Sequence, residues 1–443
     1  MSRPEISPPV PRRGRVRWIL IGLAFAAIAI NYIDRANLSV ALPYMDKDLG
    51  LDPAASGLVL GAFFWTYALC QLPLGWLVDR LGARTMFAAA VAWWSIFTAA
   101  TVLARGFGSL FGLRLLLGVG EAGAFPAATK MVEEWFPRRE RGIASGIYDS
   151  GARGGTLLSI PIVTALIAAL GWKGSFIVTG SLGLVWVIIW LWAYHSPIKH
   201  RWISEAELAY IKAGGARVDP DQQEVDHDRP AVRWRDLFTN RTVWGMAIGF
   251  GCQSYVIYFF ITWFPSYLVE ERHFSLLELG IWGTVPGFVA FLGNFLGGWV
   301  SDALVRRGHS VTVARKSCII AGMLGSAVIG FVGLVPSAVL ALVLLSFSFG
   351  CVTFATSSIV ALPADVAPTS GASMAGSIQG FQNGIANLAG IASPAVIGAL
   401  YGLTGSFGWG LASAAFVAVA GCVVYLIVVG PIRPMDRKEP AAS

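Results

Sequence analysis

Twelve apolar runs of about twenty residues constrain this 443-residue chain more than any other feature. They fall at roughly 18–43, 54–77, 84–104, 107–130, 142–169, 173–194, 242–268, 277–301, 314–334, 337–362, 371–401 and 407–430. A run of that length matches a helix crossing a bilayer. Helices satisfy their own backbone groups in hydrocarbon, whereas barrel strands read as short alternating segments. Charged residues make up 13% of the chain, against about 25% in soluble domains. With 55% hydrophobic residues the chain cannot clothe a water-facing surface, and disorder needs the opposite composition. The expected fold is an all-α membrane protein with twelve transmembrane helices.

The basic residues set the orientation. Arg3, Arg12, Arg13, Arg15 and Arg17 precede the first run, and Arg80, Arg84, Arg138, Arg139, Arg141, Arg306, Arg307, Arg315 and Lys316 fill alternate loops. Arg433, Arg437 and Lys438 follow the last run, while the opposite loops hold only Lys47, Arg105, Lys173 and Arg272. This bias predicts both termini cytoplasmic. It also accounts for the net charge of +7 without a nucleic-acid partner. No cleavable signal peptide is expected, because the first run is long and lacks a small-residue cleavage site before Asn31.

The polar stretch from about His195 to Arg241 separates six runs from six. The expected organisation is a six-helix bundle over 1–194, a cytoplasmic linker over 195–241, a second bundle over 242–430 and a tail over 431–443. A short helix is predicted at Ser204–Ala213, with Ser204 as N-cap and Glu207 completing a capping box. The halves echo each other: "GWLVDRLGART" follows the second run and "GGWVSDALVRRG" the eighth, each with Gly-x-x-x-Asp. Internal duplication is the logic of secondary transporters, which bind at the midplane between pseudo-symmetric halves.

Ionisable residues at membrane depth are costly and are functional candidates by default. They are Asp34, Arg35, Arg114, Glu121, Asp149 and Arg153, all in the first half. Arg114 and Glu121 lie seven residues apart, about two turns, on one face. A guanidinium there suits capture of a carboxylate, and a carboxyl in such a cavity can take and give up a proton. A structural ion-pair network is the alternative. Asp34 and Arg35 are adjacent and point about 100° apart, so one should face the cavity and the other a neighbouring helix. Asp34 is the second proton-site candidate, with a buried salt bridge as its alternative. Asp149 and Arg153 have the i, i+4 spacing of an intrahelical pair. Arg153 either serves that pair or offers the substrate a second cation.

The second half offers neutral groups instead: Gln253, Tyr255, Tyr258, Thr262 and Trp263, then Thr356, Ser357 and Ser358, then Gln379, Gln382, Asn383 and Asn387. These could bind a polyhydroxylated ligand or stitch helices together, and Tyr67 is similar. Gly118, Gly120 and Gly123 in "LLLGVGEAGAFPA" mimic a dinucleotide fingerprint, but no strand precedes them, so close helix packing is expected. Asp79, Arg80, Arg84 and Asp302 at the cytoplasmic rim are expected to gate. Cys70, Cys252, Cys318, Cys351 and Cys422 lie singly in apolar runs, which excludes a disulfide framework or a metal site. The five His fall in loops or at helix ends, so proton chemistry rests on carboxylates.

"GWLVDRLGART" resembles the loop 2–3 signature of the major facilitator superfamily. "NYIDRANLSVALP", "FWTYALCQLPLGW", "GLRLLLGVGEAGAFPA", "EEWFPRRERGIASGIY" and "FFITWFPSYL" resemble its anion:cation symporter branch, over about Arg17 to Gly430. That branch includes bacterial sugar-acid permeases and, more distantly, sialin and vesicular glutamate carriers. The resemblance implies two rocking bundles, with Asp34 and Glu121 as proton sites and Arg114 serving the substrate carboxylate or coupling. It further implies substrate contacts at Arg35, Tyr32, Tyr67, Ser357 and Asn383. Two positions depart: a glutamine that touches galactonate in those relatives is Ala152 here, and a tryptophan is Val360.

The expectation is therefore a multi-pass plasma-membrane importer, the bacterial inner membrane if bacterial, that couples a small organic anion to protons. The anion is an aldonate, aldarate or hexuronate, and the substrate contacts are Arg114, Arg35, Tyr32, Tyr67, Arg153, Gln253, Ser357, Gln379 and Asn383. A dicarboxylate or aromatic acid, or proton-independent uniport or exchange, is the alternative. No cofactor beyond the coupling protons and no metal is expected. The resemblance implies a monomer. An enzyme would need a nucleophile or metal set at a water-facing edge, and none is visible.

Overall fold

The computed structural model describes residues 14–218, 239–366 and 375–433. Arg3, Arg12, Arg13, the linker stretch Asp219–Pro230, Arg437 and Lys438 lie outside them. Among the described residues the regular structure is entirely helical. The elements are α1 (Val16–Leu49), α2 (Pro53–Ala100), α3 (Phe107–Glu121), α4 (Ala124–Trp135), α5 (Arg141–Ala193) and α6 (Glu205–Ala213). Then come α7 (Arg241–Thr262), α8 (Leu276–Trp282), α9 (Thr284–Arg306), α10 (Val311–Ser326), α11 (Ala338–Val366), α12 (Ala375–Thr404) and α13 (Gly408–Val423).

Among the described residues, eleven stretches are long and apolar enough to cross a membrane, and the 53-residue α5 doubles back, which makes twelve crossings. The reversal in α5 is at Gly171 (φ 71°), and the equivalent one in α2 is at Gly82 (φ 79°). Both lie in the left-handed region where a side chain is strained and glycine is not. The fourth crossing is α3 plus α4, interrupted just after Glu121, and the eighth is α8 plus α9, interrupted at Gly283.

The first six and last six crossings each pack mainly within their own half. The halves meet most extensively along two pairs, α2 with α12 and α5 with α8. These pairs exchange under the internal duplication, since the second crossing corresponds to the eighth and the fifth to the eleventh. Close approach demands glycine there: a Cβ on Gly57 would collide with the Pro394 carbonyl oxygen.

The apolar packing tells which side is shut. On the outer side one cluster joins both halves, with Leu38, Leu42, Leu60 and Trp172 packed into the same core as Phe259, Trp263, Phe264 and Leu279. On the basic, cytoplasmic side the core splits. One cluster holds Phe87, Trp135, Trp190 and Ile211 of the first half, and a separate one holds Val243, Ile319, Ile359 and Tyr425 of the second. The conformation is closed outside and open inside.

The described linker residues dock on the cytoplasmic end of the first half. Ser204 caps α6 by accepting from Glu207 N at 3.2 Å, as expected. The capping box is not completed. The Glu207 carboxylate is fully buried and turns instead to the start of α1, accepting from Arg17 Nη1 at 2.7 Å and from the Val16 and Arg17 amides at 3.3 and 3.4 Å. Arg17 also donates to Glu140 at 3.1 Å, and Glu140 accepts from the Tyr210 hydroxyl at 2.5 Å. One buried arginine thus ties α1, α5 and α6 together, across about 190 residues of chain, and local spacing does not announce it.

Candidate functional site

The two halves enclose a cavity of about 320 Å³ that opens between them. From the first half it is lined by Tyr32, Arg35, Asp149, Ala152, Arg153 and Thr156. The second half contributes Gln253, Ser254, Tyr258, Asn294, Thr353 and Thr356. The walls are therefore charged on one side and neutral and polar on the other, the division expected from the sequence. A smaller pocket reaches further outward from Tyr32 and Arg35 to Phe260, Pro265 and Phe349. Phe260 and Phe349 stack there at 4.2 Å.

Arg35 is the cation that α1 presents to this cavity. Its Nη2 and Nε donate to Glu121 Oε2 at 2.8 and 3.2 Å. Its guanidinium lies over the rings of Phe63, Tyr32 and Tyr67 at 4.4, 4.7 and 5.2 Å. Such stacking holds a weakly hydrated planar cation without neutralising it. Glu121 is buried at the break between α3 and α4, and among the described residues its Oε1 has no hydrogen-bond partner.

Asp34, one residue before Arg35, points away from the cavity, as adjacency required. It is buried, faces Thr179 and Trp94, and among the described residues neither oxygen has a hydrogen-bond partner. Arg114 is also buried, with its guanidinium 5.5 Å from the Phe63 ring and its Nε unpartnered. In this inward-open conformation Arg114 is not among the described lining residues of the cavity. Arg35 takes that place, because α1 and the rings of α2 stand in front of α3.

Arg153 does line the cavity, with Nη2 3.2 Å from Asp149 Oδ2, and both side chains are about half exposed. Gln253 lines it while donating to Thr356 Oγ1 at 2.7 Å. Tyr258 crosses toward the first half and packs on Phe64 at 4.4 Å.

Other candidates are not among the described lining residues of this cavity. Tyr67 stacks on Phe63 at 5.1 Å. Ser357 donates to the Phe354 carbonyl at 3.0 Å and packs on Gly297. Gln379 donates to Asn383 Oδ1 at 3.3 Å, so these two serve each other. Trp263 and Gln382 donate to backbone carbonyls of α12 and α7, the stitching role. Asn294 is a cavity residue that the sequence reading misses. Its signal is a lone amide in the middle of an otherwise apolar run.

Among the described residues, the rim residues make no bond between the halves. Asp79 pairs with Lys130 at 3.3 Å, Arg80 stacks on Trp76 at 4.1 Å, and Arg84 donates to the Leu191 carbonyl at 2.6 Å. In the second half Arg315 bridges Asp302 at 3.0 Å and Asp365 at 2.9 Å. Each network braces its own half.

Twelve apolar crossings in two halves around a polar, half-charged cavity define a secondary transporter. The profile of the Major Facilitator Superfamily matches residues 24–394, and the chain belongs to that family. The chain is similar to the "Probable galactarate/D-glucarate transporter GudP" of Bacillus subtilis strain 168, at 39% identity over 97% of this chain and 96% of that protein. It is also 37% identical to the "D-galactonate transporter" of Escherichia coli O6:H1 strain CFT073, over 97% and 99% of the two chains. Among solved structures, a bacterial homolog of the human lysosomal transporter Spinster, inward-facing and unoccupied, matches with a TM-score of 0.71 at 20% identity. That match covers 94% of this chain and 95% of the other. The twelve-helix fold and its branch are those the sequence motifs implied. The protein is a multi-pass transporter of the plasma membrane, not an enzyme.

Proposed function

We propose that this transporter imports a sugar acid together with protons by alternating access, acting as a monomer. One observation carries the reading: Arg35 is both the cation on the cavity wall and the partner of buried Glu121. Arg35 and Arg114 bring two positive charges to the buried cluster, and Asp34 and Glu121 bring two negative ones. With both carboxylates ionised the cluster is neutral and has no net attraction for an anion. Each proton taken up leaves one positive charge uncompensated. A substrate carboxylate on Arg35 also competes with Glu121 for the same guanidinium.

Binding the anion and binding the proton are therefore linked at one side chain. In the inward-open state Glu121 gives its proton to the cytoplasm, reclaims Arg35 and releases the anion. Two titratable carboxyls permit two protons per anion, so uptake of a monoanion would carry charge inward.

The hydroxyl-rich body of a sugar acid suits Gln253, Asn294, Tyr258 and Thr356. The names of the relatives, for galactarate, D-glucarate and D-galactonate, support this substrate class. Arg153 is a second cation on the same wall and favours an aldarate, whose far carboxylate would displace Asp149. The test is proton influx into proteoliposomes holding a pH dye, with aldonates, aldarates and hexuronates added singly. Acidification by one class, abolished in Glu121→Gln, is expected. Uptake of labelled anion without acidification would overturn the symport reading.

A further inference from the structure

A separate pocket, of about 280 Å³, lies away from the cavity at the cytoplasmic end of α5. It is lined by Leu191, Trp192, His195, Lys199 and Arg201. α5 ends at Ala193, so the pocket straddles the level at which the chain leaves the membrane. On the membrane side it continues into the exposed apolar side chains of Ile188, Leu191, Trp192 and Ile198. On the cytoplasmic side it is basic. Arg84 adjoins it, donating to the Leu191 carbonyl.

Two tryptophans organise the cations. Trp192 and Trp202 meet edge to face at 4.8 Å, and the Arg201 guanidinium lies 5.9 and 5.1 Å from their rings. Cation–π contact holds Arg201 in place while leaving its N–H donors unspent. Among the described residues, neither Arg84, Lys199 nor Arg201 forms an ion pair with a carboxylate. Burial first, and then the nearby Arg84 and Arg201, hold the His195 imidazole below its ordinary range.

Cytoplasmic arginines alone follow from the orientation rule and need no ligand. A concave pocket with a tryptophan-held guanidinium, at membrane level and with an apolar approach, is a more specific arrangement. Basic pockets at the cytoplasmic ends of transmembrane helices suit anionic headgroups, and tryptophan suits the interface. We infer that this pocket binds the phosphate of an anionic phospholipid headgroup from the cytoplasmic leaflet, with its acyl chains along Ile188 and Trp192. The site pins the end of α5 and the start of the linker to the membrane surface, apart from the substrate path.

The test is thermal unfolding of the detergent-purified chain, titrated with phosphatidylglycerol, with phosphatidylcholine or with glycerol 3-phosphate. Phosphatidylglycerol is expected to raise the midpoint in a saturable way, and the other two are not. Lys199→Ala/Arg201→Ala should weaken the apparent phosphatidylglycerol affinity by about 25-fold, at about fivefold per basic residue. Arg306→Ala/Arg307→Ala, which removes two cations from the other half, should leave it unchanged. Equal weakening by both pairs would mean diffuse surface charge, and an equal shift with glycerol 3-phosphate would mean a site for small anions. Either result overturns the proposal, as does an unaffected Lys199→Ala/Arg201→Ala variant. Should that variant fail to fold, Lys199→Gln at its exposed position carries the same comparison.

Discussion

Arg35 Nη2 lies 2.8 Å from Glu121 Oε2, and Nε donates to that same oxygen, so one carboxylate oxygen takes both bonds while Oε1 has none. The first prediction follows from this asymmetry. Glu121→Gln keeps the shape but not the charge. It should lose proton-driven accumulation, with internal substrate falling to the equilibrium level, yet retain counterflow exchange of labelled for unlabelled anion. Arg35→Ala leaves a buried carboxylate unpaired and should cost about 3–5 kcal/mol of stability, as broken buried pairs do. Adding Glu121→Gln should recover most of that loss, and thermal unfolding of both variants checks it. An Arg35→Ala protein as stable as the parent would show that the pair does not hold the cluster.

Arg153 gives a prediction about selectivity. Removing one charge-assisted hydrogen bond to a substrate carboxylate costs about 1.5–3 kcal/mol, or roughly 10–150-fold. Arg153→Ala should raise KM for a six-carbon dicarboxylate by that factor and change KM for the matching monocarboxylate little. Asp149→Asn, which removes the competing carboxylate, should lower KM for the dicarboxylate. Equal effects of Arg153→Ala on both substrates would reduce the pair to helix bracing. Initial uptake rates in whole cells suffice for the comparison.

The clasp between Arg17 and Glu207 predicts a long-range effect on stability. Both side chains are buried, so Glu207→Ala leaves the Arg17 cation without its closest partner and should cost about 3–5 kcal/mol. Arg17→Met/Glu207→Leu removes both charges and should be far milder. The readouts are the unfolding midpoint and the rate of proteolytic cutting after Ala213.

His200 predicts how the docked linker responds to acid. The ring accepts from the Trp202 amide at 3.2 Å, bonds the Ala193 carbonyl at 2.9 Å and packs edge-on against Trp135. Burial lowers its pKa from the ordinary 6.5. Above 6.5 neither the folded nor the unfolded chain protonates this ring. As pH falls through 6.5 the unfolded chain takes up the proton first, so stability declines, and the decline stops below the folded-state pKa. A His200→Gln variant should show a flatter dependence of the unfolding midpoint between pH 7 and pH 5 than the parent. Parallel curves would exclude His200 as the titrating group.

Much of this is legible in the residues themselves. The lengths of the runs define the crossings, and the basic loops set the orientation, because hydrocarbon thickness and the charge bias act on local sequence. The rarity of charge at membrane depth singles out Asp34, Arg35, Arg114, Glu121, Asp149 and Arg153. The adjacency of Asp34 and Arg35 requires their side chains to diverge, and they do.

What the residues do not say is which of two arginines meets the cavity. A helix in a membrane bundle is apolar nearly all round, so it carries no polar stripe to reveal its rotation. Arg35 faces inward and Arg114 sits behind it because α1 packs on α5 and the rings of Phe63 and Tyr67 fill the space between α1 and α3. The same limit hides Glu207. Its spacing from Ser204 spells a capping box, but the start of α1, distant in sequence, offers its carboxylate a buried guanidinium and two amides. Local pattern determined how many crossings there are, where they lie and which way they run. Only the packing of elements far apart in the chain decided which charge touches which, because at membrane depth a charge binds to whatever partner the neighbouring helices bring within reach.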